Sequence, residues 1–281
     1  MSAPWFCCPI CGQPLQRVGR TARCMRGHSF DFAREGYLYL LPPDKKHSRS
    51  PGDDRDMVQA RRRFLNAGHY AFFAVRLASI AKELLAGNPA PCVVDAGCGE
   101  GYYTARLAGA LPGASLFGFD ISKDAVRLAA KAVPEGSFAV GSTFSLPLPD
   151  GCTDLLTDVF APVAPAEFAR IVKPGGCFVL AVPSARHLFG LKEILYAKPY
   201  ENPVQDVAYP GFTLEKRVPV RGALTLTGQA VQDVFSMTPY AWKTPWTGKE
   251  RLHQIGMLKT EIGFDFVIYR RNSDDFGAAR T

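Results

Sequence analysis

The sequence predicts an α/β protein, a doubly wound parallel sheet with a small metal-stapled module in front of it. Three observations make that prediction. Strand-like apolar runs alternate with helix-like segments from Pro91 to about Ser184, the pattern of a parallel sheet with crossover helices. One of these runs, Val93-Val94-Asp95, ends in an acid and leads through alternate glycines at 97, 99 and 101 into the helix-compatible stretch Tyr103 to Ala108. Far upstream, Cys8-Pro9-Ile10-Cys11 and Cys24-Met25-Arg26-Gly27-His28 present two pairs of metal ligands.

The amino-terminal pairs have the C-x2-C and C-x3-H spacing by which two turns supply a tetrahedral zinc site. The segment is too short to fold around an apolar core of its own, so metal binding would supply its folding energy. Four protein ligands, Cys8, Cys11, Cys24 and His28, close the coordination shell and leave no position for a catalytic water. The zinc is therefore structural. Cys7 is the alternative first ligand, although the spacing favours Cys8; a set of reduced, metal-free cysteines is the plainer reading. The organisation expected is a zinc-binding module over 1–40, a basic linker with helices over 41–87, and the α/β domain over 88–281.

Composition agrees with this division. The 281 residues suffice for one ordinary domain and a small attachment. Four of the eight cysteines fit the metal site, and Cys92, Cys98, Cys152 and Cys177 fall in or beside strands, so no disulfide framework is expected and a reducing cytoplasm is the natural compartment. Met1 to Phe6 lacks the basic and apolar blocks of a signal peptide, and no apolar run approaches a membrane span. Residues 1–82 carry 14 Lys and Arg against 6 Asp and Glu, whereas the remainder is nearly neutral, 19 against 20. A basic appendage on a neutral domain suggests a polyanion, with nucleic acid as the expected partner. Arg17, Arg20, Arg23 and Arg26 recur around the metal ligands, and Lys45, Lys46 and Arg49 follow in the linker. Singly, each is an ordinary solvated charge.

Met57 to Leu85 reads as two helices broken near Asn66-Ala67-Gly68-His69. The stripe Phe73, Leu77, Ile80 and Leu84 gives the second helix a face that packs on the α/β domain. On the first helix, at least one of Arg61, Arg62 and Arg63 must point away from any packing surface.

The D-x-G-x-G-x-G order at Asp95 to Gly101 differs from the G-x-G-x-x-G of dinucleotide sites. It resembles the S-adenosylmethionine loop of Rossmann-like class I methyltransferases, which holds the methionine part of that cofactor. Asp120 ends the next apolar run, Ser115 to Phe119, about twenty residues beyond the glycines, where a carboxylate accepts both ribose hydroxyls; a helix cap is the alternative. Ile171 to Ala181 joins a Pro-Gly-Gly turn to an apolar strand. Val140-Gly141-Ser142-Thr143 lacks the acid that many relatives of the fold direct at the adenine amino group, so a hydroxyl or backbone group must serve.

Zinc segment, linker and motif order together resemble RlmA, the bacterial family that methylates N1 of one guanine in a hairpin of 23S rRNA. The matching pieces are Cys8 to Cys11, Phe30-Asp31, Glu35-Gly36-Tyr37, Ser50 to Asp53, Gln59 to Arg62, Gly68-His69-Tyr70, Asp95 to Thr104, Lys173 to Gly176, Arg186-His187-Leu188 and Met237-Thr238-Pro239. Cys98 to Thr104 looks like the branch typical of Gram-negative bacteria rather than the macrolide-resistance branch, which modifies a neighbouring guanine. The resemblance implies cofactor contacts from Tyr70, Tyr103, Thr104 and His187 beside Asp95, Gly97, Gly99, Gly101 and Asp120, and it implies a homodimer. Aromatic and hydroxyl groups suit a cationic sulfonium.

Asp158-Val159-Phe160-Ala161-Pro162 occupies the place where such enzymes present the methyl acceptor. Phe160 is positioned to stack on a flipped guanine, and Asp158 is the candidate acceptor for the N1 proton, an ordinary strand-end carboxylate being the alternative. Phe264 to Tyr269 reads as a terminal strand, Met237 to Trp242 as a helix end or loop, and Tyr240, Trp242 and Trp246 as core, with an RNA-stacking platform as the other reading. Two further functions stay open: a methyltransferase acting on another RNA or on a small molecule, of which the small-molecule enzyme has no use for a basic zinc module, and a non-catalytic zinc-ribbon adaptor, which would leave the cofactor loop idle.

Overall fold

The computed structural model describes residues 6–43 and 52–273, so Lys45, Lys46 and Arg49, the linker residues before Gly52, and the polar tail beyond Ser273 lie outside the described residues. Its first sheet is small and antiparallel: β1 (Gln16–Val18), β2 (Thr21–Arg23) and β3 (Ser29–Asp31). Arg17, Arg20, Arg23 and Arg26 are all exposed on this ribbon. The next strand, β4 (Leu38–Tyr39), leaves the ribbon and joins the large sheet.

Two helices follow, α1 (Arg55–Asn66) and α2 (Ala71–Leu84). Asp54 caps α1 by accepting the Met57 N–H at 2.8 Å. The alternation then runs β5 (Cys92–Ala96), α3 (Tyr102–Ala110), β6 (Ser115–Asp120), α4 (Lys123–Ala132), β7 (Ser137–Val140), β8 (Thr153–Val159), α5 (Pro165–Ile171) and β9 (Val172–Pro183). After α6 (Phe189–Leu195) comes a long antiparallel pair, β10 (Phe212–Thr227) and β11 (Met257–Arg271), with α7 (Gln229–Ser236), α8 (Tyr240–Lys243) and α9 (Trp246–Gln254) inserted between them.

The eight strands stand in the order β10-β11-β9-β8-β5-β6-β7-β4. From β9 to β4 all neighbours are parallel, and β11 and β10 are antiparallel. β5 is buried along its whole length, Asp95 included, as the apolar run Cys92 to Val94 requires for a strand covered on both faces. The chain moves outward from β5 to β6 and β7, then crosses back to β8. That reversal opens a crevice at the carboxyl ends of β5, β6 and β8, where ligands bind in sheets of this kind.

Phe73, Leu77 and Ile80 of α2 are buried and Leu84 is half-buried, so the stripe packs as its spacing predicts. The ribbon shares a core with the sheet: Phe6 packs edge-on against Phe117 and Phe119, with ring centroids 5.5 and 5.7 Å apart, and joins Leu38 and Leu40 in one apolar cluster with Val94. β11 contains Phe264 to Tyr269 as expected, and α7 ends just before Met237. The core reading fails for two residues. Trp242 and Trp246 are 70% and 72% exposed, because α8 and α9 turn those rings outward and bury Gly248 and Leu252 instead.

Candidate active site and zinc centre

The two cysteine turns meet. Cys11 and Cys24 place their Sγ atoms 3.6 Å apart, and His28 Nδ1 lies 3.4 Å from Cys24 Sγ and 3.5 Å from Cys8 Sγ, with all four ligand atoms inside 4.8 Å. A tetrahedron with Zn–S near 2.3 Å and Zn–N near 2.0 Å has edges of about 3.5–3.8 Å. The donor set therefore fits zinc in both chemistry and size. Cys7 takes no part: its N–H donates to the Pro147 carbonyl at 2.7 Å and it bridges to Pro14, which turns it toward the sheet.

The glycine loop closes the carboxyl end of β5. Gly97 and Gly101 both have positive φ, +81° and +86°. They also lack room: a Cβ on Gly97 would overlap the Ala161 methyl, and one on Gly101 would come within 2.7 Å of the Ala129 backbone. Gly99 faces open space at the loop tip. Its N–H donates to Asp120 Oδ2 at 3.0 Å, and the Ser122 N–H donates to Oδ1 at 2.8 Å. Asp120 thus ties β6 to the loop, and each oxygen keeps a lone pair for another donor.

Asp95 and Thr104 face each other beneath the loop. Asp95 accepts from the Thr104 hydroxyl at 2.5 Å and from the Thr157 hydroxyl at 3.1 Å, and burial pushes its carboxyl up to about 6 against those two bonds. Sequence reasoning placed both residues on the cofactor. The geometry occupies their polar atoms with one another and buries them, so they pin α3 and β8 to β5. Thr157 was missed, since nothing in a β-strand threonine marks it as a partner for an acid.

Tyr70, Tyr103 and His187 come together from three distant segments. The Tyr70 ring packs on Phe64 and Phe264, with His187 6.3 Å away, and its buried hydroxyl has no partner. Tyr103 meets Phe73 edge-on at 5.4 Å. His187 Nδ1 accepts the Gly263 N–H at 3.4 Å, which leaves the proton on Nε2; burial, aided by the Lys192 charge, lowers the ring to about 3. It is a neutral imidazole.

Asp158, the last but one residue of β8, lies beside Ala96. Oδ1 accepts the Ala161 N–H at 2.9 Å, and buried Oδ2 has no partner. Burial pushes this carboxyl up to about 7, against the Ala161 bond and aided by the charge of Asp95. Phe160 next to it holds φ at +64°, a strained conformation for a bulky residue, and its ring stacks on Phe73 at 5.9 Å while remaining 48% exposed. Of the three arginines on α1, Arg61 pairs with Asp53 and Arg63 grips buried Asp233 of α7 at 2.6 Å, leaving Arg62 facing out.

A glycine-turned loop, an acid at the end of the second strand and a strained turn at the reversal of strand order define a class I, S-adenosylmethionine-dependent methyltransferase carrying a zinc ribbon. A methyltransferase-domain family model matches residues 93–176, and the zinc-ribbon model for the amino-terminal segment of RlmA matches 6–49. The 23S rRNA (guanine(748)-N(1))-methyltransferase of Streptomyces fradiae is 37% identical over 270 residues, covering 94% of this chain and 95% of that protein. YxjB of Bacillus subtilis (strain 168), which carries a provisional name of the same kind, is 30% identical over 276 residues, 94% of this chain and 96% of its own. The chain belongs to the RlmA-type family of 23S rRNA (guanine-N1)-methyltransferases. A demethylmenaquinone methyltransferase of Chlorobaculum tepidum is 27% identical over 151 residues, only 51% of this chain.

Proposed function

We propose that the protein transfers a methyl group from S-adenosylmethionine to N1 of a guanine in a hairpin of 23S rRNA. One observation carries the reading: similarity to the Streptomyces fradiae enzyme runs through the ribbon as well as the methyltransferase domain, at 94% of the chain. Relatives that act on a quinone match about half of it, which favours RNA over a small-molecule acceptor. No helix among the described residues is long and apolar enough to cross a membrane. Cytoplasmic location and a homodimer complete the proposal.

When bound, the cofactor supplies an electrophilic methyl on a sulfonium. The chain's part is to hold and align. The remaining lone pairs of Asp120 suit ribose hydroxyls, and the open tip at Gly99 leaves room for the methionine part. Tyr70, Tyr103 and His187 form an aromatic wall in which the orphaned Tyr70 hydroxyl offers a hydrogen bond. Phe160 presents a face to an extruded guanine, and Asp158 Oδ2 accepts the N1 proton. Cys8, Cys11, Cys24 and His28 hold a structural zinc.

The finer choice is between two neighbouring guanines. The run Cys98 to Thr104 supports the Gram-negative branch, while the name of the Streptomyces fradiae relative supports guanine 748 for that protein. Primer extension along 23S rRNA from a deletion strain and its complemented parent tests both levels, because N1 methylation blocks Watson–Crick pairing. A stop that vanishes with the gene identifies reaction and position. No change anywhere in that rRNA overturns the assignment.

A further inference from the structure

Behind the glycine loop, on the face made by α1, α3 and α4, lies a cavity of about 480 Å³. It is lined by Arg62, Asn66, Glu100, Tyr102, Arg106 and Lys131 among others. Three features set it apart from a chance hollow. Glu100 is buried, yet its Oε1 has no hydrogen-bond partner, and the buried Tyr102 hydroxyl has none either. Arg62 and Arg106 are exposed, with no carboxylate within ion-pair distance among the described residues, and Arg106 lies 5.5 Å above the Tyr102 ring. The volume falls in the range of small-ligand sites.

We propose that this cavity, which adjoins the cofactor loop at Gly101, binds one phosphorylated nucleotide with a donor-bearing base, a guanine-type unit, on the outer side of that loop. Its chemistry is divided to match. An unpartnered carboxylate oxygen accepts from a base N–H edge, an aromatic ring with a guanidinium above it offers a stacking face, and Arg62 and Arg106 neutralise a phosphate. Lys131 at the rim is paired with Glu35 at 3.7 Å, so the uncompensated charge comes from Arg62 and Arg106. Resting on the rRNA reading, the source we favour is an unstacked nucleotide of the substrate RNA flanking the target; a free mononucleotide shares the chemistry.

The test uses the full-length zinc-loaded protein saturated with S-adenosylhomocysteine, so that the cofactor site is filled. Guanosine 5′-monophosphate is titrated by calorimetry, with inorganic phosphate and cytidine 5′-monophosphate as comparisons. The expected result is saturable binding of the guanine nucleotide, at least tenfold tighter than phosphate, and weakened at least tenfold in Arg62→Ala and Arg106→Ala, which remove exposed side chains and leave melting temperature unchanged. In parallel, the two variants raise KM for the rRNA hairpin and reduce its salt slope by about 1 each, with kcat preserved. Weakened mononucleotide binding with unchanged hairpin KM assigns the cavity to a free nucleotide. Equal binding of guanosine monophosphate and phosphate, equal binding of the guanosine and cytidine nucleotides, or binding abolished by S-adenosylhomocysteine overturns the proposal. If wild-type protein binds the nucleotide but methylates no rRNA, the functional reading fails and the cavity stands.

Discussion

The zinc centre and the methyl-transfer crevice are both small polar sites, yet they are assembled in opposite ways. The centre takes its four ligands from one stretch of 21 residues, Cys8 to His28, and both its turns are closed locally, by the Gly12 N–H on the Cys8 carbonyl and the Gly27 N–H on the Cys24 carbonyl. The residues proposed for the crevice, Tyr70, Asp120, Asp158 and His187, come from four separate stretches of chain: just ahead of α2, at the ends of β6 and β8, and in the segment before α6. A local site stands or falls with its metal; a distributed one is tuned residue by residue.

The largest effect should come from the metal. Chelation, or Cys24→Ser, removes the source of folding energy for the ribbon, and because Phe6 packs against Phe117 and Phe119 the loss reaches the sheet. A fall of roughly 10 °C in melting temperature is expected by scanning calorimetry. Cys7→Ser should keep its zinc, measured by metal analysis, and loss of metal there would overturn the choice of Cys8. Next, Gly97→Ala forces a left-handed alanine against Ala161. Cofactor affinity should drop at least tenfold by calorimetry, with zinc content intact.

Asp158→Asn is the graded probe. The native carboxyl, raised to about 7, holds its proton more tightly than in the unfolded chain, so between about pH 4 and pH 7 its contribution to stability falls as pH rises. The uncharged amide removes that fall, and the variant should melt higher than wild type at pH 8 while still accepting the Ala161 N–H. Single-turnover methylation should rise through about pH 7 in the wild type and be slow and flat in the variant, with cofactor affinity kept; an unchanged rate and profile would remove Asp158 as the proton acceptor. Smallest is Arg63→Ala, which leaves buried Asp233 with the Gln229 amide alone and should cost about 1 kcal/mol in urea unfolding, since the arginine is half-exposed.

The same contrast explains what could be read from the sequence. Ligand spacing named the zinc set because both pairs are local, and apolar runs marked β5, β6 and β9 because burial on both faces demands them. The glycine loop was legible for the same reason. Distributed contacts were not. Nothing in Asp95 or Thr104 announces that they bond to each other, and nothing in Arg63 announces Asp233, which lies on a helix far along the chain. Trp242 and Trp246 were misjudged because a large apolar ring is ordinarily core, and only the placement of α8 and α9 shows that Gly248 and Leu252 take the inner face.

The two residues of β4 end the ribbon and also close the free edge of β7, pairing Leu38 with Ala139 and Tyr39 with Val140. Made early on the ribosome, they can dock only once Ala139 and Val140 have been made. Through that interval, Leu38 and Leu40 wait without their final neighbours, and the metal is what can keep the first finished piece of chain in shape. A ribbon left without its metal therefore leaves the β7 edge without the strand that caps it, the kind of open edge at which strands of different chains pair.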